Sequence, residues 1–343
     1  MSQLHSTPFM KSVGFDIFFV IGIPVLALIT AAVVVIYPSY FSLILTVDLA
    51  LLGYHHVIST YTRLVFDLKS AKEYWLLLIP LPIAVIISVY LIALNFGVAA
   101  IGTIYLHWQW YHYTRQSEGI NKAYAIKSKS QQGGNALFNR FIFYLVPVAA
   151  FLMMSSRPNS VFLGMDVWKI PVSYEVASTL IIVASILWVC WLLIQVRALY
   201  ENTLGILHFA YLIFHYVIYV IAYVVIEDMT VGWVAINIWH NSQYIAFVWL
   251  FNVNKFKNGI DTNKLAISWL SQERNWPVYL LVCLTITFII YSVVDEAAGY
   301  FSNITTLSLI IIFYQTINFH HYIVDSQIWK LRSKKLQTTL ISN

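Results

Sequence analysis

The stretch GFDIFFVIGIPVLALITAAVVVI, residues 14–36, contains one charged side chain, Asp16, among 23 residues. A helix needs about 20 predominantly apolar residues to cross the hydrocarbon core of a bilayer. Lys11 precedes the run, but no small-residue cleavage site follows it. The run is therefore predicted to be a retained membrane span rather than a cleaved signal peptide.

Similar runs recur along the chain, of which 60% is hydrophobic and 10% charged. Soluble domains carry roughly 25% charged residues, so this composition excludes a soluble globular protein. The runs are continuous rather than alternating, which favours helices over the strands of a membrane barrel. We predict an all-α, polytopic transmembrane helix bundle that forms one domain over residues 1–343. About ten spans are expected, near 14–36, 41–62, 74–95, 97–114, 137–154, 174–196, 203–226, 230–251, 276–295 and 301–323.

The basic residues give these spans a direction. With this set of spans, all of the 20 lysines and arginines except Arg157 and Lys169 fall on the side that both termini share. Loops rich in Lys and Arg stay in the cytoplasm. We therefore expect cytoplasmic N and C termini in a multi-pass protein of a bacterial inner membrane. The net charge of +5 is then an orientation signal with some attraction to the lipid bilayer, and no nucleic-acid partner is expected.

Histidine is unusually frequent, with 10 residues in the chain. All but His5 lie within or at the ends of apolar runs, where an ionisable side chain is costly and commonly functional. With the orientation above, these histidines fall between the middle of the bilayer and its cytoplasmic face. The candidate metal ligands are His55, His56, His107, His112, His208, His215, His240, His320 and His321.

Helical spacing predicts which of these side chains share a face. Glu201, His208 and His215 follow one another at intervals of seven residues, which drift by only about 20° per interval. Asp48 and His55 have the same spacing. Each carboxylate is thus expected to lie on the same stripe of a helix as its histidines.

His321 and Asp325 are four residues apart and can touch across one helical turn. A carboxylate in that position orients a metal-ligating imidazole. Imidazole-rich sites without thiols suit iron, copper or zinc. We expect a binuclear non-haem iron centre, with haem b or copper as alternatives. The candidates for additional ligands or orienting partners are Glu201, Asp325 and Asp48.

The histidine segments resemble those of the histidine-box membrane oxygenases, which include the fatty-acid desaturases and the alkane and lipid hydroxylases. His107-x4-His112 is similar to the first box of that family, and His55-His56 and His320-His321 resemble the paired histidines of its later boxes. The H-x-x-H-H motif of the family is absent here, and the family has fewer spans. The resemblance, which covers these segments only, implies two irons at the cytoplasmic ends of the helices.

The first functional hypothesis is an integral membrane metalloenzyme, a non-haem iron oxidoreductase that acts on a lipid or isoprenoid and receives electrons from a separate donor. A bis-histidine haem protein for electron transfer and a metal-ion or proton-coupled transporter are the alternatives. A lone membrane histidine such as His240 can also bond across helices without binding a metal. The aromatic side chains expected to line a substrate tunnel are Trp108, Trp110 and Tyr111.

Overall fold

The computed structural model describes residues 9–66, 68–301, 308–330 and 334–341, and this part of the chain is almost entirely helical. The α-helices are α1 (Val13–Ile17), α2 (Ile23–Ile36), α3 (Phe41–Asp48), α4 (Tyr54–Tyr61), α5 (Leu68–Glu73), α6 (Trp75–Leu78), α7 (Pro80–Ser128), α8 (Ala136–Ser156), α9 (Tyr174–Tyr200), α10 (Ile206–Val220), α11 (Met229–Lys255), α12 (Leu265–Leu270), α13 (Trp276–Phe301), α14 (Leu309–Ile328) and α15 (Lys334–Ile341).

Shorter elements interrupt or connect these helices. The π-helical segments are Phe18–Gly22, Leu49–Gly53 and Ile221–Val225, and the 3₁₀ segments are Pro38–Tyr40, Thr262–Lys264 and Glu273–Asn275. Two short strands, β1 (Val161–Phe162) and β2 (Met165–Asp166), lie in the connection between α8 and α9.

Within the described residues, seven helical segments are long and apolar enough to cross a membrane. They are Val13–Ile36, Pro38–Tyr61, Trp75–Ser128, Ala136–Ser156, Tyr174–Tyr200, Ile206–Val225 and Glu273–Phe301. The chain is thus an all-helical, membrane-embedded protein, as its apolar runs predict. Two predicted spans, 230–251 and 301–323, fall largely on α11 and α14, which are outside this set, and residues 302–307 of the second lie outside the described ranges.

The segment Trp75–Ser128 contains two of the predicted spans, 74–95 and 97–114. The helix α7 is kinked between them at Gly97, where φ is 78° and ψ is 173°. Glycine adopts such a backbone conformation without the steric penalty that a Cβ atom brings. One glycine therefore separates two helical stretches that the sequence predicts as separate spans.

Contacts along the backbone divide the chain into two compact units. The first unit contains 1–44, 109–163 and 169–243, and the second contains 45–108, 164–168 and 244–343. The single domain over 1–343 stays a prediction.

In the first unit, α8, α9 and α10 pack around a buried aromatic and aliphatic core. Trp191 of α9 contacts Tyr216 of α10 edge to face, with ring centroids 5.0 Å apart. On α9, apolar side chains at helical spacing are exposed, namely Ile182, Ile186, Val189 and Leu193. An exposed apolar stripe of this kind suits a hydrocarbon environment rather than water.

A glycine permits a close backbone contact in the same unit. A Cβ atom added to Gly232 of α11 would lie 2.0 Å from the carbonyl oxygen of Ala222, in the π-helical segment Ile221–Val225. No other residue type fits this approach without a shift of the backbone.

In the second unit, one buried cluster packs α12 against α13, and another packs the residues after α4 against α14. One contains Tyr279 and Cys283 of α13 together with Ile267 and Leu270 of α12. The other contains Leu64, just after α4, together with Val324 and Ile328 of α14. This packing places the buried face of α14 next to α4, and both helices carry paired histidines.

Candidate functional site

Two histidines and one carboxylate meet inside the second unit. His56 of α4 and His321 of α14 face each other with their Nε2 atoms 3.1 Å apart. Asp325, one turn after His321, places Oδ2 3.6 Å from His321 Nε2. The predicted contact between His321 and Asp325 is therefore present, and all three side chains are buried.

The proton of the His56 ring can be assigned from its second contact. His56 Nδ1 lies 2.6 Å from the carbonyl oxygen of Gly53, which can only accept a hydrogen bond. Nδ1 therefore carries the proton in the neutral ring, and Nε2 carries the lone pair. That lone pair points toward His321.

The proton of the His321 ring depends on its neighbours. With Asp325 ionised, the Tyr244 hydroxyl donates to Asp325 Oδ1 at 2.7 Å. Thr60 Oγ1 lies 2.7 Å from that hydroxyl and 3.1 Å from His321 Nδ1. The Thr60 hydroxyl also donates to Asp325 Oδ1 at 3.4 Å, so that it links Tyr244, Asp325 and His321. Since the His56 lone pair faces His321 Nε2 at 3.1 Å, a proton on His321 Nε2 makes this contact a hydrogen bond. A cation bound there would require that proton to move to Nδ1, beside Thr60 Oγ1.

His321 Nε2 thus lies between two other possible ligand atoms, His56 Nε2 at 3.1 Å and Asp325 Oδ2 at 3.6 Å. Among the described residues, no hydrogen-bond donor reaches Asp325 Oδ2, which is buried. Ligand atoms around one metal with bonds of about 2.0–2.1 Å lie about 2.9–3.4 Å apart. The His56–His321 separation of 3.1 Å is in this range, and the His321–Asp325 separation of 3.6 Å slightly exceeds it. Imidazole nitrogens and a carboxylate oxygen are ligand types that iron, copper and zinc accept.

An aromatic and cationic group supports the carboxylate. Trp329 Nε1 donates to the Tyr244 hydroxyl at 3.0 Å. The Arg63 guanidinium lies between two rings, 4.0 Å from the centroid of Trp329 and 4.3 Å from that of Phe251. Arg63 also donates to the carbonyl oxygen of Ile328 at 3.3 Å. These contacts hold Tyr244 in the position from which it orients Asp325.

His320, the neighbour of His321, points to other partners. Its Nε2–H donates to the carbonyl oxygen of Leu77 at 2.6 Å, and its Nδ1 accepts from the Tyr61 hydroxyl at 2.6 Å. Both ring nitrogens are thus used in protein hydrogen bonds. This arrangement favours a packing role for His320. Of the predicted ligand pair His320-His321, only His321 faces His56.

The π-helical segment Leu49–Gly53 changes the predicted face of α4. A π turn bonds i to i+5 and so holds one residue more than an α turn, which rotates the following residues by about 100°. Asp48, which is buried, therefore aligns with His56 rather than with His55, contrary to the seven-residue prediction. His55 is also buried, and its Nδ1–H donates to the carbonyl oxygen of Leu51 at 3.2 Å.

The two histidines of α10 have both ring nitrogens in hydrogen bonds within the first unit. His208 bonds Ser130 at 2.8 Å and Asn121 at 2.6 Å. His215 bonds Ser117 at 3.0 Å and the carbonyl oxygen of Phe143 at 3.1 Å. These contacts favour helix packing over metal binding for both residues.

Glu201 does not share their face, because α10 begins only at Ile206. Glu201 instead follows the end of α9, where its Oε1 lies 2.7 Å from Arg197 Nε. The predicted stripe of Glu201 with His208 and His215 is therefore wrong, since a turn separates the acid from the helix.

The remaining predicted histidines have these positions. In the first unit, the rings of His112 and His240 lie edge to face with centroids 5.2 Å apart, and Tyr113 covers His240 at 4.0 Å. In the second unit, His107 Nδ1–H donates to the carbonyl oxygen of Thr103 at 2.8 Å.

The three aromatic side chains expected to line a tunnel point to different neighbours. Trp108 stacks on Phe319 with ring centroids 5.3 Å apart, beside the His320-His321 pair in sequence. Trp110 contacts Phe151 in the first unit, and Tyr111 is exposed. Only Trp108 therefore lies near a predicted histidine pair of the second unit.

Sequence reasoning did not identify Thr60, Tyr244 and Trp329 as part of the site. The sequence does contain a signal for two of them. Thr60 follows His56 by one helical turn, and Trp329 follows Asp325 by one turn, so each shares a helix face with a proposed ligand. Tyr244 has no such signal, because it comes from a distant helix. Comparisons with protein-family models, with curated proteins and with solved structures found no match for this chain.

Proposed function

We propose that this protein is an integral membrane metalloenzyme, an iron-dependent oxidoreductase whose metal is bound by His56, His321 and Asp325. The observation that carries the proposal is a buried row of contacts, in which His321 Nε2 lies 3.1 Å from His56 Nε2 and 3.6 Å from Asp325 Oδ2. Two histidines and one carboxylate with open positions are typical of non-haem iron(II) enzymes that use oxygen. Such a metal supplies oxygen activation, and the protein supplies ligand orientation through Gly53, Thr60 and Tyr244.

The geometry supports one metal in this ligand set more directly than the binuclear centre expected from the histidine boxes. It supports haem less well. Bis-histidine haem binding would need space for a macrocycle between two imidazoles, whereas the rings of His56 and His321 are in direct contact. The Nε2 atoms of His56 and His321 are 3.1 Å apart.

A lipid or isoprenoid substrate fits the environment. The candidate membrane helices of the chain are apolar. In the unit that contains the proposed ligands, Trp108 forms an aromatic cluster with Phe319 and Tyr322. An apolar chain would contact these rings. We further propose cytoplasmic termini in a bacterial inner membrane, based on the distribution of Lys and Arg, and a separate electron donor.

The test is metal analysis combined with an optical spectrum of the purified full-length protein. About one iron per chain and no Soret band are expected, and His56→Ala and Asp325→Ala should each lose the metal. His208→Gln is the matched control, because both nitrogens of His208 bond to protein groups, and it should retain the metal.

Protein that contains no transition metal and takes none up on reconstitution would refute the proposal. A Soret band would favour the haem alternative. Solute flux in proteoliposomes that depends on His56, without turnover of any lipid, would favour the transporter.

A further inference from the structure

A cavity of about 540 Å³ lies in the first unit, between the C-terminal part of α7 and the N-terminal part of α8. Charged side chains line one part of it, and apolar side chains, among them Leu137 and Phe143, line another. The helices that form it belong to two successive candidate spans, Trp75–Ser128 and Ala136–Ser156. The cavity therefore lies where one apolar segment ends and the next begins.

Three charged groups meet at this cavity. Glu118 Oε1 lies 2.5 Å from Lys122 Nζ and 3.2 Å from Arg140 Nε. The Tyr144 hydroxyl donates to Glu118 Oε2 at 2.7 Å. The Glu118 side chain is only 7% exposed, whereas Lys122 and Arg140 are 52% and 59% exposed. Because both cations contact one oxygen, they stand side by side and present their outer surfaces to the cavity.

We propose that this cavity binds the phosphate of an anionic membrane lipid. Lys122, Arg140 and Glu118 together carry a formal charge of +1, which one phosphodiester neutralises. Lysine and arginine form charge-assisted hydrogen bonds to phosphate oxygens, and two adjacent cations can contact one phosphate. Glu118 positions both cations and takes no part in holding the phosphate.

The apolar lining selects a lipid over free phosphate. Leu137, which lines the cavity, is 78% exposed, and Ala136, Ile126 and Phe143 line it as well. These side chains offer contact to an acyl chain directly beside the cations. The site is thus matched at both ends to an amphipathic anion, and the proposal does not depend on the metal site.

The test is native mass spectrometry of the full-length protein with phosphatidylglycerol, phosphatidylcholine and inorganic phosphate. Removing one cation near an anionic lipid should weaken phosphatidylglycerol binding about five-fold, so Lys122→Gln and Arg140→Gln should each show this loss. Glu118→Gln should strengthen binding by a similar factor, because it raises the formal charge to +2. Arg197→Gln is the matched control, since Arg197 forms an exposed ion pair with Glu201, and it should leave binding unchanged.

Equal phosphatidylglycerol affinity in all four variants would overturn the proposal, as would equal affinity of the wild-type protein for phosphatidylcholine. Inorganic phosphate binding as tightly as phosphatidylglycerol would show a site for a free anion and would also overturn it.

Discussion

Tyr244→Phe tests how the protein orients Asp325. The Tyr244 hydroxyl donates to Asp325 Oδ1, accepts from Trp329 Nε1 and contacts Thr60 Oγ1. Removing this one oxygen leaves the ring in place and breaks all three contacts. The change therefore perturbs the position of a proposed ligand without touching any ligand atom.

The expected magnitude follows from these bonds. A hydrogen bond to an ionised group contributes about 1.5–3 kcal/mol and a neutral one about 0.5–1.5 kcal/mol. We expect the free energy of unfolding of the metal-free protein to fall by about 3–5 kcal/mol. Loss of a group that orients a ligand typically lowers metal affinity about 10–100-fold, so the metal dissociation constant should rise by that factor.

Competition with a chelator measures the dissociation constant, and denaturation in detergent measures stability. Tyr279→Phe is the matched control in the same unit. Tyr279 is also fully buried, but its hydroxyl lies 3.3 Å from Thr62 Oγ1 and away from the ligands. This variant should lose about 1 kcal/mol and keep its metal affinity.

The reasoning is refuted if Tyr244→Phe binds metal as tightly as Tyr279→Phe and as the wild-type protein. In that case Tyr244 does not orient Asp325.

Two further predictions concern other contacts. Thr60→Val removes the acceptor for His321 Nδ1–H and should lower metal affinity about tenfold. Thr60→Ser keeps the hydroxyl and should bind metal nearly as tightly as the wild type. Equal metal affinity of the two variants, measured by chelator competition, would contradict the role of Thr60. Gly232→Ala places a methyl group 2.0 Å from the Ala222 carbonyl oxygen and should cost about 2–3 kcal/mol of stability. Gly119→Ala, where nothing lies within 4 Å, should not lower the melting temperature in detergent, and equal losses in both would argue against the close contact.

The helical, membrane-embedded character could be predicted because a bilayer imposes a minimum length of apolar sequence on each crossing. The contact of His321 with Asp325 could be predicted for a similar reason, since residues four apart on a helix are neighbours. Both inferences need only local geometry.

The partner of His321 could not be predicted, because His56 lies on another helix and the two meet only through packing. The choice of His56 over His55 depends on the π turn at Leu49–Gly53, for which the sequence LALLG shows no marker. A periodicity of 3.6 residues assigns the wrong neighbour to Asp48 once a turn holds an extra residue.

The histidines of α10 show the converse limit. Their cost in an apolar segment predicts a function, yet His208 and His215 are satisfied by Ser130, Asn121 and Ser117. Those partners lie far away in sequence, and nothing in the spacing of the histidines distinguishes a ligand from a packing residue.

The helix α9 has a consequence for the choice of membrane. It runs from Tyr174 to Tyr200, both exposed, and at 1.5 Å per residue these ends are about 39 Å apart. Tyrosine prefers the interfacial layers, and a bilayer measures about 40–45 Å with those layers included. The helix thus matches a bilayer of ordinary thickness when it stands nearly upright. In a thinner bilayer α9 must tilt to keep both rings at the interfaces. Membrane thickness therefore sets the tilt of this helix.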